Sequence, residues 1–147
     1  MSLREWYRIK PLAQTEAIER IEQDYGVCLS SKLKECILTN NGGRPRPNVV
    51  KLDNGQEYDV KLLLSYNEND PETIYKVIRF FVEKFAGKAV PFATDSSGNY
   101  YCEYDKQIVL WLQDDIVIPI CESFDVFIAE CDKRHQNTSK QLIYRIN

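Results

Sequence analysis

Residues 74–85 place the strongest constraint on how this chain folds. Ile74, Val77, Ile78, Phe81 and Phe85 recur at steps of three and four, forming one continuous apolar stripe. A stripe of that kind must be buried, and truncating one of its phenylalanines is expected to cost about 3–5 kcal/mol. Asp70-Pro71 stands just ahead of it. Proline suits the first position of a helix, so the spacing predicts a core helix from about residue 70 to residue 85. The sequence then changes period. Residues 90–92, 100–104 and 108–112 are short aromatic or β-branched runs separated by Gly, Asn and Asp turns, and residues 116–118 offer another.

The first half supplies more helix. Ile18, Ile21 and Tyr25 share a helical face over residues 14–25, with Thr15 as the expected N-cap and Gly26 as the stop. A second helix is expected over residues 31–39, capped by Ser30, with Leu33, Cys36 and Ile37 on its buried side. Asn40-Asn41-Gly42-Gly43 ends it, and Arg44-Pro45-Arg46-Pro47 reads as an extended loop. Strands at 49–52 and 57–64 flank Asp53-Asn54-Gly55-Gln56, whose Asn-Gly pair is a strong hairpin signal. A closing helix begins near Ser123, with Phe124, Phe127, Ile128 and Cys131 on one stripe. Leu142-Ile143-Tyr144 either adds an edge strand or frays. At 147 residues, with no internal repeat, the chain is sized for one core. The order of elements predicts a single α+β domain with a largely antiparallel sheet. Residues 1–13 form a lead-in, 14–132 the domain, and 133–147 a basic polar tail.

The inventory of reactive groups is short. His135 is the single histidine and lies in the charged tail, a poor place to hold a base within reach of a nucleophile. Ser96-Ser97-Gly98 lacks the elbow pattern of an activated serine and reads as a turn. Cys28, Cys36, Cys102, Cys121 and Cys131 are odd in number, and none are spaced as a zinc knuckle or redox pair. They read as reduced core residues, which points to a reducing, cytoplasmic setting. There is no glycine-rich phosphate loop followed by Lys-Ser or Lys-Thr, no cleavable leader, and no apolar run long enough for a membrane. No enzyme activity, metal or cofactor is therefore expected. Arg44 and Arg46 beside their prolines read as a solvated loop rather than an anion grip.

Charge is unevenly spread. The net charge is −3, yet residues 95–132 hold nine acids and one base, which is 1 − 9 = −8 in 38 residues. Residues 1–94 carry 14 bases and 13 acids. A sequence pI near 5.3 argues against direct nucleic-acid binding through a basic face. Two readings of the acidic half stay open. It is either a solvated sheet face and helix, or a surface that steers a basic partner into place. On the second reading the partner-binding candidates are Asp95, Glu103, Asp105, Asp114, Asp115 and Glu122, with Tyr101 and Tyr104 as anchors. The same aromatics fit a core equally well.

The succession of motifs carries a resemblance. A helix leads into Tyr25-Gly26-Val27 and Leu29, and a second ends in Asn40-Asn41-Gly42-Gly43-Arg44-Pro45. Leu63-Leu64-Ser65-Tyr66-Asn67 precedes the long apolar stripe. The most specific segment runs Pro91-Phe92-Ala93-Thr94-Asp95-Ser96-Ser97-Gly98-Asn99-Tyr100-Tyr101-Cys102, followed by Ile108-Val109-Leu110-Trp111 and Ser123-Phe124 with Phe127. In this order the chain resembles the SUKH superfamily, in the branch that shares the homology domain of fungal cell-wall assembly regulators. It departs at Leu29-Ser30, where the family commonly has Leu-Pro, and at Cys102-Glu103-Tyr104-Asp105, where it often has Cys-Leu-Asp. The resemblance implies helices packed on one side of a twisted sheet, with no catalytic residues. It further implies an immunity-type protein that neutralises a cognate toxin, often a nuclease, by binding it. The alternative within the same family is a non-catalytic scaffold or regulatory module. Neither the ligand set nor the oligomeric state transfers.

Overall fold

The computed structural model describes residues 5–52 and 54–133, with side chains to residue 129. The predicted tail and its Leu142-Ile143-Tyr144 strand lie outside the described residues, as do Asp53 and His135. Among the described residues there are four α-helices: α1 (Ala17–Tyr25), α2 (Ser31–Asn40), α3 (Ile78–Lys84) and α4 (Phe124–Lys133). Nine strands accompany them: β1 (Glu5–Tyr7), β2 (Arg44–Arg46), β3 (Val49–Lys51), β4 (Glu57–Asp59), β5 (Leu62–Leu63), β6 (Ala89–Thr94), β7 (Tyr100–Tyr104), β8 (Gln107–Trp111) and β9 (Val117–Cys121). Strands β5 to β9 form one sheet in chain order, every pair antiparallel. β1 with β2, and β3 with β4, make two further ribbons. This is the expected single-domain α+β arrangement.

Strand alternation divides the core. Val90, Phe92, Tyr101, Ile108 and Leu110 face one side, where they meet Ile18 and Ile21 of α1, Leu33 and Ile37 of α2, and Phe124 and Phe127 of α4. Ala89, Cys102 and Val109 face the other side and meet Phe81 of α3. The segment from Ile74 through α3 thus serves both: Ile74 and Ile78 turn into the main core while Phe81 covers part of the second face. Phe81 is boxed by Phe85, Tyr100 and Trp111, with ring centroids 5.3–6.2 Å away.

Several predicted elements hold and others change. Ser30 caps α2 as expected, its hydroxyl accepting from the Leu33 N–H at 3.3 Å, and Gly26 closes α1 in the left-handed region at φ 66°. Thr15 does not cap α1; the N-cap position is Glu16, without a side-chain hydrogen bond to the helix. The helix predicted from Pro71 does not start there. The Ser65 N–H donates to the Glu72 carbonyl and the Ile74 N–H to the Ser65 carbonyl, a parallel bridge that holds Thr73 extended. A 3-10 turn over Ile74–Lys76 follows, and the α-helix proper begins at Ile78. Backbone hydrogen bonds offered by Ser65 outcompete the first helical turn, while the apolar stripe stays buried.

Arg44-Pro45-Arg46 is extended, as expected, but pairs with Glu5–Tyr7 as a strand, Trp6 opposite Pro45. Residues 5–7 of the lead-in are therefore part of the fold. The predicted strand 57–64 divides at Val60-Lys61, because Val60 N–H bonds back to Asn48 while Lys61 N–H bonds forward to Thr94. The Asn41 side chain fixes the junction. Its amide donates to the Lys10 carbonyl at 2.8 Å and to Ser65 Oγ at 3.0 Å, and its oxygen accepts from the Tyr66 N–H at 2.8 Å.

Phe81→Ala is expected to lower unfolding free energy by about 3–5 kcal/mol in urea titration, whereas Phe80→Ala, 47% exposed, should cost under about 1 kcal/mol.

Candidate functional site

The acidic candidates separate by burial. Asp95 is 5% exposed and works inside its own turn: Oδ1 accepts from the Ser97 and Asn99 N–H groups at 2.9 and 2.8 Å, and Oδ2 from Asn99 Nδ2 at 2.9 Å. Ser96 is likewise a turn residue, its N–H and hydroxyl both donating to Asp59 Oδ2. Glu103 is 3% exposed. Its Oε1 accepts from the Ser30 N–H at 2.9 Å and its Oε2 from the Ser30 hydroxyl at 2.5 Å. A carboxylate from the sheet thus sits at the amino end of α2, where the helix dipole favours negative charge.

Tyr101 is fully buried; its hydroxyl donates to the Asp59 carbonyl at 2.9 Å and its ring packs 5.3 Å from Phe127. Burial first, then Asp95 and Asp59, push its phenol well above the ordinary range. These three residues are buried and bond within the fold. Tyr104 is half-buried, edge-on to Phe85 at 5.4 Å. Cys102 is buried, and burial alone pushes its thiol up, which keeps it protonated and unreactive. Among the described residues, no group of three or more His, Cys, Asp or Glu is placed to hold a metal.

The remaining acids are exposed, and β8 sets their spacing. Asp105 and Lys106 make the two-residue turn between β7 and β8, both in the left-handed region at φ 48° and 72°, as hairpin geometry requires. Glu122 follows β9 at the same end, next to Cys121, which pairs with Ile108. Asp114 and Asp115 occupy the opposite end, in the loop that joins β8 to β9. Leu112 N–H bonds to the Ile116 carbonyl, Asp115 N–H bonds to the Leu112 carbonyl, and Asp115 is left-handed at φ 68°. The five residues of β8 separate the two acidic ends by about 17 Å. The nine acids of the sequence therefore do not form one patch.

At the Asp114–Asp115 end of β8, α3 covers the second sheet face only in part. Tyr100, Trp111 and Val117 stand in one cross-strand row, since Tyr100 pairs with Trp111 and Trp111 with Val117. Phe80 extends the row from α3, its ring 5.2 Å from Trp111. Val117 is 38% and Ile116 50% exposed. Asp115 fixes this surface: Oδ1 accepts from Trp111 Nε1 at 3.0 Å and Oδ2 from Lys84 Nζ at 2.8 Å. Hydrogen bonds from Lys84 and then Trp111 hold its carboxyl below the usual range. The result is a half-exposed apolar row whose Trp111 is held by Asp115, with Asp105 and Glu122 at the far end of β8.

Phe80, Ile116 and Val117 are absent from the sequence-derived candidates. Phe80 carried a signal, because it lies off the stripe of Ile74, Val77, Ile78, Phe81 and Phe85, on the side of the helix expected to face water.

A model of the SMI1/KNR4 family (SUKH-1) matches residues 12–130. Among curated proteins, none matches the chain significantly. No helix among the described residues is long and apolar enough to cross a membrane.

Removing the Glu103 carboxylate leaves two donors at the start of α2 without their acceptor. Glu103→Ala is expected to lose about 1–3 kcal/mol of stability by chemical denaturation, with Asp105→Ala within about 0.5 kcal/mol of the parent.

Proposed function

Because the chain belongs to the SMI1/KNR4 family (SUKH-1), we propose that it is an immunity-type binding protein acting in the cytoplasm. It neutralises a cognate toxin domain by covering that domain's active site, and it turns over no substrate. The observation that carries this reading is the exposed apolar row of Phe80, Trp111 and Val117 beside Asp114 and Asp115, with Asp105 and Glu122 at the far end of β8. Interfaces concentrate binding energy in aromatic anchors, and charged rims steer the encounter. A toxin that acts on nucleic acid needs a basic groove. Two carboxylate clusters about 17 Å apart present such a groove with separated negative charges, as a phosphate backbone does.

Asp95, Tyr101 and Glu103 drop out of the docking surface on this reading, and Phe80, Ile116 and Val117 enter it. Tyr104 contributes at the edge, beside Asp105. A scaffold or regulatory module would use the same strip on a different partner. Co-expression with each candidate toxin domain found in a neighbouring reading frame separates the two: rescue of growth supports immunity, and no such reading frame or no rescue overturns it.

Trp111→Ala together with Phe80→Ala is expected to weaken toxin binding at least about tenfold. Charge reversal at Asp105, Asp114 and Glu122 should slow association and flatten its dependence on salt, measured by stopped-flow or surface-based kinetics. Unchanged rates across salt concentrations would remove the electrostatic part of the proposal.

A further inference from the structure

A second recess lies on other elements. It is a cleft of about 490 Å³ between α1 and the segment that links Tyr66 to Tyr75. Ala17, Ile21 and Tyr66, all buried, line its apolar portion. Tyr25 and Tyr75, both half-buried, add two more rings, and Tyr75 is fixed by donating its hydroxyl to the Tyr66 carbonyl at 2.8 Å. Asp24 and Glu68 stand at the opening, exposed, and neither enters an ion pair among the described residues. Asp24 also lies in the last turn of α1, which contains no basic residue. The carboxyl end of a helix carries partial negative charge, so an acid placed there is uncompensated and a cation is favoured. Arg20 is the one cation of the lining, and its charge is already engaged by Glu16 at 3.6 Å and by Gln14 at 2.5 Å.

We propose that this cleft receives a basic side chain, arginine or lysine, from a partner protein or peptide. The aliphatic stem lies along Ala17 and Ile21, the cationic head meets the faces of Tyr25 and Tyr75, and Asp24 and Glu68 neutralise it. Apolar lining, aromatic rings and unpaired carboxylates are what such a side chain needs in one recess. Charge counts the same way, since two acids face one already paired arginine. This site is independent of the toxin-facing strip, and its test needs no toxin.

The test is titration of the isotopically labelled full chain with acetyl-Gly-Arg-Gly-amide, its lysine analogue and its neutral citrulline analogue, followed by amide chemical shifts. Shifts are expected at residues 24–25 and 66–69 with the arginine or lysine peptide and not with citrulline. Asp24→Asn with Glu68→Gln should weaken binding at least about fivefold, and Arg20→Gln should tighten it about twofold by removing a like charge. Both sets of substitutions are at exposed positions, so unchanged spectra elsewhere report an intact fold. Equal binding of the citrulline peptide, indifference to the acid substitutions, or shifts outside the cleft would overturn the proposal.

Discussion

The contact between Glu103 and Ser30 organises this molecule. Glu103 belongs to the middle strand of the five-stranded sheet, and Ser30 begins a helix 73 residues earlier in the chain. Burying a carboxylate is costly unless its oxygens are satisfied, and here each oxygen accepts one hydrogen bond from Ser30. The same Ser30 hydroxyl accepts from the Leu33 N–H, so helix cap and sheet share one oxygen atom. Glu22 completes the arrangement from α1: its Oε2 accepts from the Leu29 N–H at 2.9 Å and pairs with Lys34 at 3.1 Å. Two carboxylates thus pin the short connection between the first two helices. With α2 set against the sheet in this way, Leu33 and Ile37 reach the core, and Asn41 arrives where it can hold Lys10, Ser65 and Tyr66.

This use of acids inside the fold changes the meaning of the charge distribution. Asp95 shapes a turn and Glu103 anchors a helix, so the surface is less acidic than the sequence of residues 95–132 suggests. The acids left outside are split by the length of β8. A partner on this surface would meet two negative ends of which only the Asp114–Asp115 end adjoins the aromatic row, a pattern with direction and spacing. Asp115 is shared between the two purposes, since it orients Trp111 while contributing charge.

Sequence periodicity sufficed where local chemistry decides structure. Ser30 caps because a serine side chain can accept from the third residue of a helix, and Gly26 stops α1 because glycine tolerates the left-handed region. It was insufficient where a distant segment competes. The bridge from Ser65 to Thr73 displaces the helix start signalled by Pro71, and the pairing of β2 depends on residues nearly forty positions earlier. Strand parity was also hidden. Apart from Glu103, residues 100–104 are aromatic or apolar on both sides because α3 covers part of one face and the main core the other, so alternation gave no outward side. Glu103 looked like a surface acid, since the helix end that requires it is visible only in three dimensions.

The pairing of β1 with β2 bears on the order in which the chain assembles as it is made. Glu5–Tyr7 leave the ribosome before their partners Arg44–Arg46, which are synthesised only after both α1 and α2. Local helices can form while the first strand waits, and the Lys10 carbonyl remains without the Asn41 amide until that residue appears. Residues 5–7 are therefore synthesised before the two helices and secured after them. The junction also lies beyond the family match at residue 12, so a fragment cut at that boundary would lose the strand opposite Pro45 and the anchor for Asn41.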